Sequence, residues 1–140
     1  MVNYKIELVI VPVADVDRSR AFYGETLGWP VDHDQTVDEN VRFVQVTPPG
    51  SACSIAFGRG LSEMEPGSLK ALQVVVASAD EALADLRGRG VEVSDVDDQP
   101  WGRFVYFSDP DGTSWTVQEL PDYSKLGDWQ ADQGVTDNQA

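Results

Sequence analysis

One cysteine, Cys53, and one histidine, His33, stand in 140 residues. A single thiol cannot close an internal disulfide, and no basic segment followed by an apolar one opens the chain, so a reducing cytoplasm is the expected compartment. A single imidazole nearly excludes a conventional histidine-based metal site. No apolar run approaches the ~20 residues of a spanning helix, and no membrane association is expected. Positive charge is scarce too: 10 Lys and Arg face 24 Asp and Glu, a net charge of −14. That field repels phosphate backbones and anionic lipid, which argues against nucleic acid as a partner. It either attracts a cationic small molecule or serves solubility alone, and solubility is the favoured reading.

What is present suits one folded domain. An apolar fraction of 41% with four Trp, four Tyr and five Phe supplies a core, and a chain of this length buries roughly two-thirds of its unfolded surface. A pattern recurs at an offset of about sixty residues: an apolar run (6–13; 69–76), a helical stretch, a glycine stop, then three strand-like runs. In the second half Ser78 and Glu81 have capping-box spacing, and Ala79, Ala82, Leu83 and Leu86 share one helical face. In the first half Asp15 or Asp17 can cap, while Val16, Tyr23 and Leu27 form the stripe that ends at Gly28. The strand runs are 31–36, 41–47 and 52–58, then 91–96, 103–108 and 114–120, with "TPPGS" and "DPDGT" as turns. The unit is βαβββ, used twice: modules 4–58 and 69–120 of a domain 4–120, a linker 59–68, and a polar tail 121–140. That tail is expected to be mobile, with docking of Tyr123, Leu126 and Trp129 on the body or on a partner subunit as the alternative.

The segments "VPVADVDRSRAFYGETLGWPV", "TPPGSACSIAFGRGL" and "GRFVYFSDPDGTSWTVQEL" resemble the glyoxalase, bleomycin-resistance and extradiol-dioxygenase superfamily, the vicinal oxygen chelate fold. The resemblance covers residues 4 to 120. It implies an α+β fold in which two βαβββ modules form curled mixed sheets around a central cavity, with helices outside. It also implies a homodimer, with the modules pairing either within one chain or between two.

In that family a divalent metal is usually held by four side chains on the first and last strand of each module. By register these positions fall on Leu8, Ser54, Ala71 and Thr116, and none is a good ligand. No cofactor is therefore expected, a divalent metal remaining an alternative through Glu7 or Glu119, which lie one residue away and point to the other face unless a bulge intervenes. Ser54, Gln73, Thr116 and Gln118 are expected to line a neutral hydrogen-bonding pocket. Trp101 and Tyr106 are expected to contact the ligand, and Arg103 either clamps an anionic group or lies at the solvent rim. His33 reads as solvated, Cys53 as a small apolar residue, and Asp109 and Asp111 as turn residues.

Three functions follow, in order. The first is a metal-free protein that sequesters a small organic molecule, cationic or aromatic, as in the bleomycin-resistance branch. The second is a lyase, isomerase or dioxygenase with a non-standard or absent metal site, for which no inward-facing acid or base is visible in this register. The third is a dimeric interaction protein.

Overall fold

Asp15 and Ser78 start the two helices, each in extended conformation and each accepting a backbone N–H three residues on, from Arg18 and Glu81. The computed structural model describes residues 1–70 and 72–122. Its elements are β1 (Leu8–Ile10), α1 (Val16–Arg20) continuing into a wider π-helical stretch (Ala21–Thr26), β2 (Val31–Thr36), β3 (Arg42–Val46), β4 (Ser54–Arg59), β5 (Leu72–Val76), α2 (Ala79–Gly88), β6 (Asp97–Gln99), β7 (Gly102–Ser108) and β8 (Ser114–Glu119). They build two four-stranded mixed sheets of matching order, β1-β4-β3-β2 (sheet A) and β5-β8-β7-β6 (sheet B). β1–β4 and β5–β8 are the parallel pairs. The fold is α+β, made of two similar modules with no closed barrel. The tail residues 123–140, with Tyr123, Leu126 and Trp129, lie outside the described residues, as does Ala71.

One strand differs from its expected place. The run 91–96 pairs only through an isolated Val93–Phe107 bridge, and β6 forms later. Two causes are visible. Val91 N–H folds back onto the Leu86 carbonyl at the end of α2, and Pro100-Trp101 makes a two-residue turn that pairs Gln99 with Gly102. Gly102 sits at φ +150°, where a Cβ would lie 2.8 Å from the Glu119 carbonyl oxygen. Only glycine lets β7 begin there.

Each sheet turns one face to a shared core. Val44, Val46, Ile55 and Phe57 come from sheet A and Val105, Phe107, Trp115 and Val117 from sheet B, with Tyr23, Leu27 and Leu86 from the helices. The modules are tied by a buried polar cluster. The Tyr23 hydroxyl donates to Asp109 Oδ2 at 2.7 Å and accepts from Trp115 Nε1 at 3.0 Å. Asp109 Oδ1 in turn accepts from the backbone of Asp111 and Thr113 at 2.9 Å each. Asp111, 3% exposed at its side chain, receives Arg18 Nη2 at 2.8 Å. Thus the two aspartates shape the "DPDG" turn as expected and also anchor it to the helix of the other module. Burial, then the Asp109 charge, pushes the Tyr23 phenol well above its ordinary value, so it stays a donor.

A second network pins α1 to sheet A. Arg42, 14% exposed, bonds Asp34 at 2.9 and 3.0 Å and Asp17 at 2.7 Å, and Arg20 Nε lies 2.8 Å from Asp34. The hydrogen bonds from Arg42 hold the Asp34 carboxyl below its ordinary value of 3.8. A depressed carboxyl stabilises the fold above its unfolded pKa and loses that contribution as pH falls through the folded value. Wild-type stability should therefore decline below about pH 4 more steeply than that of Asp34→Asn, as read from urea midpoints across an acid series. Asp109→Ala leaves the Tyr23 hydroxyl and two backbone N–H groups unpaired, and should cost about 3 kcal/mol in the same urea experiment.

Candidate functional site

Strand alternation leaves each sheet a second face that no helix covers. On sheet B that face carries Gln73 and Val75 from β5, Phe104 and Tyr106 from β7, and Thr116 and Gln118 from β8, since Phe104 pairs with Gln118, Tyr106 with Thr116 and Gln73 with Thr116. Val75 is 61% and Tyr106 39% exposed. Phe104 and Tyr106 are parallel, with centroids 6.2 Å apart, and the Tyr106 hydroxyl donates to Asp97 at 2.7 Å. This hydrogen bond, chiefly, pushes the phenol up.

The two glutamines are joined. Gln118 Nε2 donates to the Trp101 carbonyl at 3.0 Å, and Gln73 Nε2 donates to Gln118 Oε1 at 2.6 Å. Because a backbone carbonyl only accepts, it fixes the orientation of both amides. Trp101, 53% exposed on its turn, is held at its backbone beside this face. Five of the expected site residues, Gln73, Thr116, Gln118, Trp101 and Tyr106, are therefore brought to one region.

Ser54 and Arg103 are not. Arg103 shares the core-side face of β7 with Val105 and Phe107, and its guanidinium bonds Asp80 of α2 at 2.8 Å and Asp98 at 2.6 Å, with Glu119 at 3.7 Å. The clamp reading gives way to a rim ion-pair role, because alternation turns this side chain toward the helix. These pairs hold the Asp80 carboxyl below its ordinary value.

Ser54 lies on the uncovered face of sheet A, paired with Leu8 and beside Gln45, whose partner is Ala56. Here a feature absent from the sequence reading appears. A register shift between Val31 and His33 makes Asp32 a bulge and brings its carboxylate to the Thr47 hydroxyl. Thr47 Oγ1 lies 2.6 Å from Ser54 Oγ, which accepts from Gln45 Nε2 at 3.3 Å. A carboxylate therefore meets the polar side chains of this face from an exposed position on the edge strand β2. Only Val31 of "VDHDQT" faces the core, opposite Val46, and nothing in this polar edge strand marks Asp32 rather than Asp34 as the carboxylate that meets these hydroxyls.

The family's metal positions do not fit a divalent ion here: Leu8 has no donor atom, and Ser54 and Thr116 offer neutral hydroxyls. Glu119 faces the helix side, where its carboxylate accepts the Ala79 N–H at 2.9 Å as part of the α2 start. Glu7 is exposed and meets Ser54 through its backbone carbonyl. No group of three His, Cys, Asp or Glu able to hold a metal occurs among the described residues. His33 is exposed, and Cys53 is half-buried with Sγ 3.6 Å from the Ser54 carbonyl oxygen. No described helix is long and apolar enough to cross a membrane.

A cleft of about 910 Å³ opens where β7 and β8 meet their turn, between Phe22 and Thr26 of the first helix and the segment 90–94. Tyr106 and Thr116 line it, so it runs onto the uncovered face of sheet B at one end.

Residues 5–117 match the glyoxalase/bleomycin resistance protein/dioxygenase superfamily, and the chain belongs to it. Among solved structures it is similar to TnmS3, an antibiotic-binding protein from Streptomyces sp. CB03234, at 35% identity over 86% of this chain and 99% of that one, with a TM-score of 0.77. A glyoxalase/bleomycin resistance protein from the same organism shares 36% identity over 81% and 99%, with a TM-score of 0.71. A superfamily member from Sphaerobacter thermophilus DSM 20745 shares 31% over 84% and 98%, with a TM-score of 0.72. No match was found among curated proteins.

The Arg103 guanidinium is committed to the exposed carboxylates of Asp80 and Asp98. Arg103→Ala should lower stability by less than about 1 kcal/mol in thermal denaturation and leave any measured ligand affinity unchanged.

Proposed function

We propose that the protein is a metal-free small-molecule-binding member of its superfamily, of the sequestration or resistance type, acting as a cytoplasmic homodimer. The observation that carries this reading is the outer face of sheet B, where exposed Tyr106, backed by buried Phe104, and exposed Trp101 adjoin an oriented amide pair, Gln73 and Gln118. Flat apolar surface with a few fixed polar groups is what a drug-sized aromatic ligand requires. The antibiotic-binding description of TnmS3 supports the same class of ligand. A cationic group on that ligand suits the acidic chain.

The apolar surface that the chain leaves exposed supports the dimer. Residues 1–7 are exposed, and Ile10, Val75, Tyr106 and Trp101 are 39%, 61%, 39% and 53% exposed. The modules meet through their core faces, so a second copy that brings its sheet A face over the sheet B face would cover this surface and complete two pockets.

Native mass spectrometry on protein purified without chelator or affinity metal tests the assembly and the metal together. A dimer without stoichiometric metal supports the proposal, particularly one carrying an organic mass. Near-stoichiometric Mn, Fe, Ni, Co or Zn would overturn it in favour of an enzyme. Titration with polycyclic aromatic antibiotics, followed by tryptophan fluorescence, should then show Gln118→Ala and Gln73→Ala each binding about tenfold more weakly, the equivalent of one hydrogen bond, at unchanged thermal midpoint.

A further inference from the structure

The polar chain on sheet A has a direction that its atoms impose. A carboxylate only accepts, so the Thr47 hydroxyl spends its hydrogen on Asp32. With that hydrogen committed, the 2.6 Å contact between Thr47 and Ser54 requires the Ser54 hydroxyl to donate to Thr47. Gln45 Nε2 then donates to Ser54. Both hydroxyl hydrogens run toward Asp32 and neither is left for a ligand. What the chain presents at its open end is a negative charge with Oδ1 unused by Thr47, on an exposed bulge of the edge strand β2. The hydroxyl donors also disperse and hold this charge, so the carboxylate is oriented before any ligand arrives.

On sheet B the Trp101 carbonyl orients the amides and the Tyr106 hydroxyl is spent on Asp97. The Asp32 carboxylate repels an anionic group, whereas a donor finds an acceptor already in place at Oδ1.

We infer that Asp32, held by Thr47 and Ser54, is the recognition point for a protonated amine on the bound small molecule. The inference rests on the small-molecule reading above, in which the sheet A face of a second copy brings Asp32 to the ligand, and adds the chemistry of one ligand group and the residue that reads it. It differs from a general attraction by the net charge, because one side chain out of 24 acids carries the preference.

The test uses three fluorescent probes that share a dansyl ring and a five-carbon chain: dansylcadaverine with its free amine, the N-acetylated compound, and the terminal alcohol. Wild-type protein should bind the amine about tenfold more tightly than either neutral probe, as expected of a charge-assisted hydrogen bond. Asp32→Asn should bring the three affinities within twofold while binding the acetylated probe as wild type does, which also reports that the variant is folded. Thr47→Val, which keeps the carboxylate but removes its support, should show a reduced preference. Glu63→Gln removes the same charge from the exposed linker and should keep the full preference. Equal binding of amine and alcohol by wild type, or an amine preference that survives Asp32→Asn, overturns the assignment and leaves the small-molecule reading standing. If no dansyl probe saturates and the antibiotic titration is also flat, the small-molecule reading fails and this inference with it.

Discussion

The Tyr23 phenol, buried between Asp109 and Trp115, is the contact on which the arrangement of the two modules depends. It belongs to the helix of one module, and its partners belong to the last turn and strand of the other. A buried hydroxyl is costly when unpaired, so this cluster tolerates one relative placement of the modules and penalises others. Arg18 adds a bond to Asp111 from the same helix, and ring contacts of Phe22 with Phe107 and Trp29 with Trp115 extend the join. The apolar core then closes around it, with side chains from both sheets in one cluster.

That join decides which faces remain for function. Each sheet has two faces, and the helices and the core take one from each. The others are left uncovered, with parallel strands β1 and β5 at the sheet edges. Everything that reads as a binding surface lies on these leftover faces: an aromatic wall with oriented amides on sheet B, a carboxylate-terminated hydroxyl chain on sheet A. The charged residues that look most functional in isolation lie elsewhere. Arg103 and Arg42 join sheets to helices through aspartates, and Glu119 serves the start of α2.

A scaffold shared by glyoxalases, dioxygenases and antibiotic-binding proteins says little about chemistry. At three of the superfamily's four metal positions this chain has Leu8, Ser54 and Thr116, an aliphatic side chain and two neutral hydroxyls. Ser54 is a link in the Asp32 chain, and Thr116 stands opposite Tyr106 at the mouth of the cleft. The scaffold is the family's, and the pocket is defined by side chains that orient one another.

Much of the fold could be read along the chain because it depends on local chemistry. Caps at Asp15 and Ser78, the helical stripes, the "DPDG" turn and the doubled βαβββ order all follow from residues within a few positions of one another. Alternation likewise placed Gln73, Thr116 and Gln118 on one face. The failures came where neighbours distant in sequence decide. The contact of Asp32 with Thr47 is set by the pairing of β2 with β3, the late start of β6 by how 91–96 falls against α2 and β7, and the fate of Arg103 by the position of Asp80. Sequence by itself determined the secondary elements, the repeat and the lack of metal-binding side chains at the expected positions, since period and residue type are local properties. Only the tertiary structure decided which face of each sheet is spent on the core, which carboxylate meets the hydroxyls of sheet A and which way those hydrogen bonds run, because register and contact are properties of two strands together.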